Sequence, residues 1–186
     1  MNGSRNEVYT VRAGDTLWKI ASLHQVGVTE LINANLQIPN PDVIYIGQRI
    51  NIPSGSTYRQ MEQEIVRLVN QERANRGLSP LVENWEISRV ARIKSQDMIN
   101  NNYFSHESPI YGSPFKMLTS FGIPFTEAAE NIASGQQSAQ QVMSSWMNSS
   151  GHRTNILNSR YNKIGVGIAR KGTNGPLYFT QIFVRN

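Results

Sequence analysis

The sequence predicts an α+β protein with two domains: a small βααβ module, then a larger domain in which helices and a sheet form an α-β-α sandwich. Three observations lead to this prediction. β-forming residues cluster near both ends of the chain, whereas apolar residues repeat every three to four positions between them. The run Ser54-Gly55-Ser56-Thr57 after Pro53 has the composition of a linker. A chain of 186 residues is long enough for both domains.

The composition is that of an ordinary globular protein. Hydrophobic residues make up 39% of the chain and charged residues 17%, with a mean hydropathy of −0.41. No stretch reaches the roughly 18 apolar residues of a membrane span, so we expect no transmembrane segment. The first residues do not have the pattern of a signal peptide, so an exported form would need a leader that this sequence does not include. With no cysteine, any metal site must use His, Asp and Glu.

The charge is unevenly distributed between the two domains. Residues 1–53 balance four basic against four acidic side chains, so the whole net charge of +5 belongs to residues 54–186. A basic surface suits an anionic polymer such as a cell wall. Because the basic residues are scattered rather than clustered, we expect no nucleic-acid partner.

Four short elements are predicted in the first domain, at 8–11 (strand), 17–24 (helix), 28–35 (helix) and 49–52 (strand). Asp15 or Thr16 is the candidate cap of the first helix. Trp18 lies inside that helix and is predicted to be a core residue, and His24 is predicted to be structural.

Several short blocks of this domain resemble a known domain family. The blocks at 9–11, 14–21, 33–35 and 46–53 resemble a LysM domain from end to end, which places that domain at 7–53 and a linker at 54–57. The resemblance implies binding of glycans that contain N-acetylglucosamine, such as peptidoglycan or chitin. The implied groove residues are Gly14, Asp15, Thr16, Leu17, Pro41, Ile44, Tyr45 and Ile46. Capping alone is the structural alternative for Asp15 and Thr16, and for Trp18 a core position is preferred to a sugar-binding platform.

The second domain, at 58–186, changes pattern after Tyr58. Apolar residues at helical spacing predict helices from about residue 61 to 75, from 87 to 102 and from 140 to 148. Gly77 is a candidate for the end of the first of these helices. Residues 164–169 and 177–184 are predicted strands, and the turn at 171–176 makes them a terminal hairpin.

Three blocks of this domain contain residues able to do chemistry, at 103–109, 127–133 and 146–157. His106-Glu107 suggests a zincin motif, but Ile110 stands where the second histidine should be. From spacing alone, a joint metal or acid–base site and a purely structural role both stay open.

Taken together, these blocks resemble the CAP superfamily, also called the SCP domain, over nearly all of residues 60–186. The resemblance begins at Val69-Asn70-Gln71-Glu72-Arg73 and is greatest to the cysteine-free bacterial branch. A LysM domain followed by a CAP domain resembles exported wall-associated or spore-coat-associated proteins of Gram-positive spore formers. Cell-wall or spore-coat proteins are therefore candidate partners.

The CAP resemblance implies a cleft lined by two histidines and two glutamates. His106, Glu130 and His152 match three of these positions, but Ser149 occupies the fourth. Ala129 replaces a glycine of the family pattern, which removes backbone freedom. His106, Glu130 and His152 are thus the candidate catalytic residues and the candidate ligands of a divalent cation, zinc being the expected one.

Other interpretations of these blocks remain open. Glu130 would then cap a helix or accept backbone N–H bonds, His152 would fix the turn before Asn155, and Arg153 and Asn155 would hold the fold. No triad geometry can be identified for Ser105, Ser108 or Ser149, which argues against a serine nucleophile. The aromatic residues of the region suit either a lipid ligand or the core, and they are Tyr103, Phe104, Phe121 and Phe125.

The sequence therefore predicts an exported cell-envelope protein, with the first domain holding peptidoglycan and the second presenting a cleft to a ligand. A metal-assisted hydrolase of wall peptide or glycan is one alternative, and a secreted lipid- or sterol-binding protein is another. We expect the two domains to fold independently and residues 1–53 alone to bind the glycan.

Overall fold

The computed structural model describes residues 7–53 and 58–186. The chain divides between Thr57 and Tyr58 into two compact units. The predicted linker at 54–57 lies outside the described residues.

The first unit has the βααβ order that the sequence predicts. Its elements are β1 (Glu7–Thr10), α1 (Leu17–Leu23), α2 (Val28–Asn33) and β2 (Arg49–Ile52). The two strands are antiparallel, with Glu7 opposite Ile52 and Thr10 opposite Arg49. Leu17, Ile20 and Leu31 are buried beneath them and form the centre of a small core.

A buried asparagine joins the end of α2 to β2. The Nδ2 atom of Asn35 donates to the carbonyl oxygen of Leu31 at 2.8 Å and to that of Asn51 at 2.7 Å. Its Oδ1 atom accepts the backbone N–H of Asn51 at 2.8 Å. These bonds satisfy the polar atoms of a side chain that is almost fully buried. They also fix the position of the backbone where the loop before β2 begins.

The second unit contains five helices and four strands among its described residues. They are α3 (Arg59–Ala74), β3 (Val82–Glu83), α4 (Trp85–Asn100), α5 (Pro114–Ser120), β4 (Glu127–Ser134), α6 (Ala139–Asn148), α7 (Ser150–Ile156), β5 (Lys163–Arg170) and β6 (Leu177–Arg185). The three predicted helices appear as α3, α4 and α6, and the predicted hairpin as β5 and β6. The sequence did not predict β3, α5, β4 or α7.

The four strands form one sheet in the order β3-β5-β6-β4. β5 and β6 are antiparallel, and β4 lies antiparallel to β6 with Glu130 opposite Ile182. β3 pairs in parallel with the start of β5. This order makes β4 an edge strand of the sheet.

Helices cover both faces of the sheet, as the predicted α-β-α sandwich requires. On one face, α4 packs Ile87 and Val90 against Ile182 of β6. On the other face, Ile65 of α3 and the fully buried Trp146 of α6 belong to the same core as Phe179 of β6. The alternation of side chains along β6 directs its residues to the two cores in turn.

Two glycines of β5 allow α4 to approach the sheet closely. A methyl group added at Gly167 would lie 2.0 Å from the backbone nitrogen of Arg92, and one added at Gly165 would lie 2.4 Å from the backbone of Ile87. No real Cβ atom is tolerated at such distances. The helix backbone therefore packs directly on the strand, and the glycines set the distance between the two layers.

A buried ion pair braces the two helical layers. Glu62 of α3 is fully buried and forms an ion pair with the guanidinium of Arg92 in α4, with an Nη2–Oε2 distance of 2.9 Å. The same carboxylate accepts the backbone N–H of Ile168 in β5 at 3.1 Å. Glu62 thus connects α3 and α4 to β5, at a part of that strand that the short β3 does not reach.

A second buried cation ties α3 to α7. The guanidinium of Arg73 donates to the carbonyl oxygen of Ile156 at 2.8 Å and to that of Asn158 at 2.9 Å. Its Nε atom donates to the carbonyl of Ser79 at 2.9 Å. The C-terminal end of α7 is therefore fixed by a residue that lies more than 80 positions earlier in the chain.

Candidate functional site

The second unit brings His106 and Glu130 into direct contact at the edge of the sheet. The Nδ1 atom of His106 lies 2.8 Å from Oε1 of Glu130. Glu130 belongs to β4, and His106 lies in the loop that follows α4. The His106 side chain is 54% exposed and the Glu130 side chain 2% exposed. The pair thus combines a buried carboxylate with an imidazole that faces solvent.

The second carboxylate oxygen of Glu130 has no partner. In the described part of the chain, Oε2 is buried and makes no hydrogen bond. Burial raises the pKa of Glu130, and the hydrogen bond with His106 and the charge of Lys94 oppose this shift. Because an unsatisfied buried acceptor is unfavourable, Oε2 is the atom at which a hydrogen-bond donor or a cation would be most stabilising.

A buried lysine holds the loop that carries His106. The Nζ atom of Lys94 in α4 donates to the carbonyl oxygen of His106 at 2.9 Å and to the hydroxyl of Tyr103 at 3.0 Å. It also lies 4.8 Å from the centre of the Tyr103 ring. Burial lowers the pKa of Lys94, while the nearby negative charge of Glu130 acts in the opposite direction.

Asp97, one turn after Lys94, holds the other side of the same loop. Its carboxylate accepts hydrogen bonds from the hydroxyls of Tyr103 and Ser108, the latter at 2.7 Å. The Ser108 hydroxyl in turn accepts the backbone N–H of Tyr111 at 2.9 Å. Burial and the bond to Asp97 raise the pKa of Tyr103. Ser108 is therefore part of the loop's support.

Lys94 and Asp97 are site residues that the sequence analysis missed. Both lie on α4, and both are almost fully buried although they carry charge. A charged pair three positions apart on the apolar face of a helix, shortly before a Tyr-Phe-Ser-His block, is the signal that could have identified them.

His152 reaches the site from α7. Its carbonyl oxygen accepts the Nδ2 group of Asn131 at 3.1 Å, and Asn131 directly follows Glu130 in β4. The Nδ2 atom of Asn155, one turn later in α7, donates to Oδ1 of Asn131 at 2.8 Å. The fully buried Asn131 also donates to Gln181 at 3.0 Å. These amides fasten α7 to β4 next to Glu130.

The imidazole of His152 is half-buried. Burial lowers its pKa, and the charge of His106 lowers it further. The carbonyl of His152 is hydrogen-bonded to Asn131, the residue after Glu130, so α7 holds the backbone of His152 next to β4.

The donor set fits a divalent cation only in part. Imidazole nitrogens and a carboxylate are ordinary zinc ligands. Across residues 7–53 and 58–186, however, no three His, Asp or Glu side chains are grouped so that they could hold a metal ion. The predicted zinc site at His106, Glu130 and His152 therefore stays a prediction.

Two structural alternatives for these residues are wrong. Glu130 does not cap a helix, because it lies within β4. His152 lies inside α7 rather than in a turn before Asn155. Asn155 itself holds the fold through its bond to Asn131, as that alternative proposed, and Arg153 donates to the carbonyl of Met147 at 2.8 Å.

The two departures from the family pattern have different surroundings. Ala129 lies in β4 opposite Phe183. Among the described residues other than glycine, only Gln25 and Asn102 have positive φ angles, so the strand does not need the backbone freedom of a glycine at Ala129. Ser149 joins α6 to α7, and its side chain makes no capping hydrogen bond to either helix.

A groove of about 360 Å³ opens in the first unit. Five of the predicted glycan-binding residues line it, and they are Asp15, Thr16, Leu17, Pro41 and Ile44. Five further residues complete the lining, and they are Trp18, Val28, Ile32, Asp42 and Val43. The groove therefore lies between the start of α1, one side of α2 and the loop before β2.

Hydrogen bonds fix the loop at the start of α1. The Oδ2 atom of Asp15 accepts the backbone N–H of Arg12 at 2.7 Å and the hydroxyl of Tyr9 at 2.8 Å, and these bonds lower the pKa of Asp15. Thr16 is the cap of α1, because its Oγ1 atom accepts the backbone N–H of Lys19 at 3.2 Å. The groove thus has a preformed wall at this end.

Three predicted glycan-binding residues are not part of the groove lining. Gly14 has a φ angle of +83° in the turn before α1, and its carbonyl accepts the Nζ of Lys19 at 2.7 Å. Tyr45 and Ile46 are 71% and 74% exposed. They lie in the same loop as Ile44, which does line the groove.

The prediction that Trp18 belongs to the core is wrong. Its side chain is 68% exposed and lines the groove. In α1, Leu17, Ile20 and Ala21 form the buried face, so position 18 points away from the core.

A groove of about 390 Å³ also lies between α3 and α6. Leu68, Met143 and Met147 form its apolar part, and amides such as Gln71 and Asn148 form its rim. None of His106, Glu130 and His152 lines it. It is therefore a separate feature of the second unit.

Comparisons with known proteins agree with the two-unit division. The profile of the Cysteine-rich secretory protein family (CAP) matches residues 66–183, and the profile of the LysM domain matches residues 9–53. Within the described residues, no helix combines the length and the apolar character that crossing a membrane requires.

Among curated relatives, the chain is similar to YkwD of Bacillus subtilis (strain 168), with 48% identity over 129 residues, which are 69% of this chain and 49% of the relative. It is also similar to the spore coat assembly protein ExsA of Bacillus cereus, with 39% identity over 56 residues, which are 30% of this chain and 9% of ExsA. The chain spans about half the length of the first relative and a much smaller part of the second.

A solved structure with the same fold is that of an extracellular protein containing a SCP domain from Bacillus anthracis str. Ames. The TM-score is 0.63 and the sequence identity 31%. The match covers 75% of this chain and 47% of that one.

Proposed function

Because the chain belongs to the cysteine-rich secretory protein (CAP) family and carries a LysM domain, we propose that it is an exported protein of the cell envelope. Its LysM groove holds a glycan that contains N-acetylglucosamine, and its CAP cleft presents His106, Glu130 and His152 to a second ligand. The LysM match supports the glycan, either peptidoglycan or chitin. The similarity to a spore coat assembly protein supports a location in the cell wall or the spore coat.

The observation that carries this proposal is the groove around Trp18. An indole that is 68% exposed is unfavourable in water, and burying its apolar face against a ligand recovers that free energy. The apolar face of a pyranose ring matches an aromatic ring in size. Thr16 and Asp15 stand beside Trp18 in the same lining and offer polar groups to the hydroxyls of a sugar.

The experiment is a sedimentation assay of the full chain with insoluble peptidoglycan and with chitin. The parent protein should sediment with the glycan, and Trp18→Ala should lose about tenfold in affinity. Leu23→Ala is the matched control, because Leu23 is 67% exposed on the same helix but does not line the groove. If Trp18→Ala sediments like the control, the groove is not the glycan site.

The CAP cleft is proposed to bind a ligand through the free oxygen of Glu130 and the solvent-facing ring of His106. Oε2 of Glu130 needs a donor, so a hydroxyl, an amide N–H or a cation would satisfy it. Nδ1 of His106 is held by Oε1 of Glu130, which orients the ring and leaves Nε2 to the ligand.

A divalent cation is one candidate for this cleft ligand. His106, Glu130 and His152 would hold it, and it would polarise a bound carbonyl or activate a water molecule. Without it, the His106–Glu130 pair still provides an imidazole and a carboxyl group that exchange a proton between them. Glu107 is exposed and adjacent to His106 in the chain, which makes it the remaining acidic candidate near the cleft.

Export is tested by fractionation of cells that produce the full-length natural protein. We expect the protein in the wall or spore-coat fraction, from which soluble N-acetylglucosamine oligomers should release it. Recovery in the cell interior at all growth stages would contradict the proposal.

A further inference from the structure

We propose that Asp42 makes the LysM groove selective for sugars without negative charge, so that amine-bearing hexosamines are favoured and carboxylate-bearing sugars are rejected. The inference rests on the proposed glycan-binding function. It names the class of sugar that the groove accepts.

The groove lining contains two carboxylates and no basic side chain. Asp15 is one of them, and its charge is partly balanced. Its Oδ2 atom accepts two hydrogen bonds, and the positive charges of Arg12 and Lys19 lie close enough to act on it. Asp15 therefore contributes little free charge to a ligand.

Asp42 is the other carboxylate, and it is not balanced in this way. The backbone N–H of Asp42 donates to Oδ1 of Asn40 at 3.0 Å. This bond fixes the loop and does not involve the Asp42 carboxylate. Within the described ranges, the Asp42 side chain makes no hydrogen bond and no ion pair. The side chain is exposed. The groove thus carries one uncompensated negative charge.

The other lining residues hold a sugar near that charge. Trp18, Leu17 and Ile44 are apolar and line the same groove as Asp42. A ring packed on them lies within a groove of about 360 Å³, so its substituents are within the range of a surface charge. An ammonium group in that range is attracted to Asp42, and a carboxylate is repelled by it.

The experiment is a calorimetric titration of the full chain with three tetrasaccharides at low salt. They are chitin tetramer, which is neutral, a half-deacetylated chitosan tetramer, which is cationic, and a hyaluronan tetramer, which alternates N-acetylglucosamine with a carboxylate sugar. Asp42→Asn should weaken chitosan binding about three- to tenfold and strengthen hyaluronan binding by a similar factor. Its affinity for chitin should stay within about twofold of the parent's.

Glu7→Gln is the matched control, because it removes an exposed carboxylate of the same unit that does not line the groove. The control should bind all three ligands like the parent. The effects of Asp42→Asn should shrink at 1 M salt, where surface charges are screened.

The results distinguish a failure of the charge selectivity from a failure of the proposed glycan binding. If Asp42→Asn changes the affinity for all three tetrasaccharides equally, or for none of them, the charge selectivity is overturned while the glycan site stands. If the parent binds no tetrasaccharide, the proposed glycan-binding function fails and the selectivity fails with it.

Discussion

The Nζ atom of Lys94 lies 2.9 Å from the carbonyl oxygen of His106, so a buried cation of α4 fixes the backbone of the residue that contacts Glu130. Lys94 is almost fully buried, which is rare for a charged side chain, and it forms no ion pair within residues 7–53 and 58–186. Its position indicates that the orientation of His106 depends on α4 as much as on β4.

Removal of this cation should destabilise the protein and loosen the loop. Lys94→Met leaves the His106 carbonyl and the Tyr103 hydroxyl without their buried donor, which should cost about 1–3 kcal/mol of the free energy of unfolding. Urea denaturation measures the loss, and amide hydrogen exchange at His106 should become faster. Lys116→Met removes an exposed lysine of α5 and should change stability by no more than about 0.5 kcal/mol. Equal stability of the two variants would contradict the assigned role of Lys94.

The Glu130 carboxyl group predicts a pH dependence with a definite sign. Burial raises its pKa in the folded protein above the ordinary value of 4.5, so the folded state holds this proton to a higher pH than the unfolded state does. The folded state binds more protons in that window, and its stability therefore falls as the pH rises above about 4.5.

Glu130→Gln removes this titration and serves as the reference. The free energy of unfolding of the parent, measured in urea between pH 4 and pH 7, should decrease relative to that of Glu130→Gln as the pH increases. A parent that gains stability relative to the variant over this range would show that the bond to His106 outweighs burial.

The close approach of α4 to β5 predicts a difference between two glycines. Gly167→Ala would place a methyl group 2.0 Å from the backbone nitrogen of Arg92, and the shift of α4 should cost about 1–3 kcal/mol or more. Gly151→Ala is the matched control, since the added methyl group meets no atom within 4 Å apart from the neighbouring residues and backbone of its own helix. The control should keep or raise the melting temperature. Similar melting temperatures for both variants would be incompatible with backbone contact between α4 and β5.

Zinc titration tests the proposed cation of the CAP cleft. Calorimetry of the full chain should give an affinity that falls at least tenfold in His106→Ala and in His152→Ala. Ser149→Glu should bind zinc more tightly, because it adds a carboxylate where the family pattern has one. Since burial lowers the pKa of His152, protons should compete with the metal at this ring only below the ordinary histidine range near 6.5.

His24→Ala is the control for the zinc experiment, because His24 lies in the first unit and stacks edge-on against Tyr9. It should bind zinc like the parent. If His106→Ala and His152→Ala also bind like the parent, the cleft does not hold the metal.

Much of the fold could be predicted because it is encoded locally. The apolar stripes of α3 and α4 have a helical period, and the β-branched and aromatic residues of β5 and β6 favour strands. β4 was not predicted because its sequence has low strand propensity. It contains three alanines, two glutamates and one asparagine. Its eight pairs with β6 make it a strand, and such pairing over about 50 positions leaves no local signal.

The candidate site, like the fold, could be predicted only in part. The resemblance identified His106 and Glu130, and the structure shows them in contact. Lys94 was not identified as its support, because a lysine is usually exposed, although its spacing places it on the buried face of α4. Trp18 was misassigned for the opposite reason: an indole is usually buried, and only the packing of Leu17 and Ile20 shows that its position faces outward.

The edge position of β4 has a consequence for molecules that are crowded together. Unpaired edge strands invite strands of other copies, which leads to aggregation. Here the indole Nε1 of Trp146 donates to the carbonyl of Ile132 at 3.3 Å, and the Asn155 amide lies 3.5 Å from the carbonyl of Glu130. Side chains of α6 and α7 thus occupy the acceptors that an incoming strand would need. The sheet can in this way stay closed to strands of other copies when molecules are crowded.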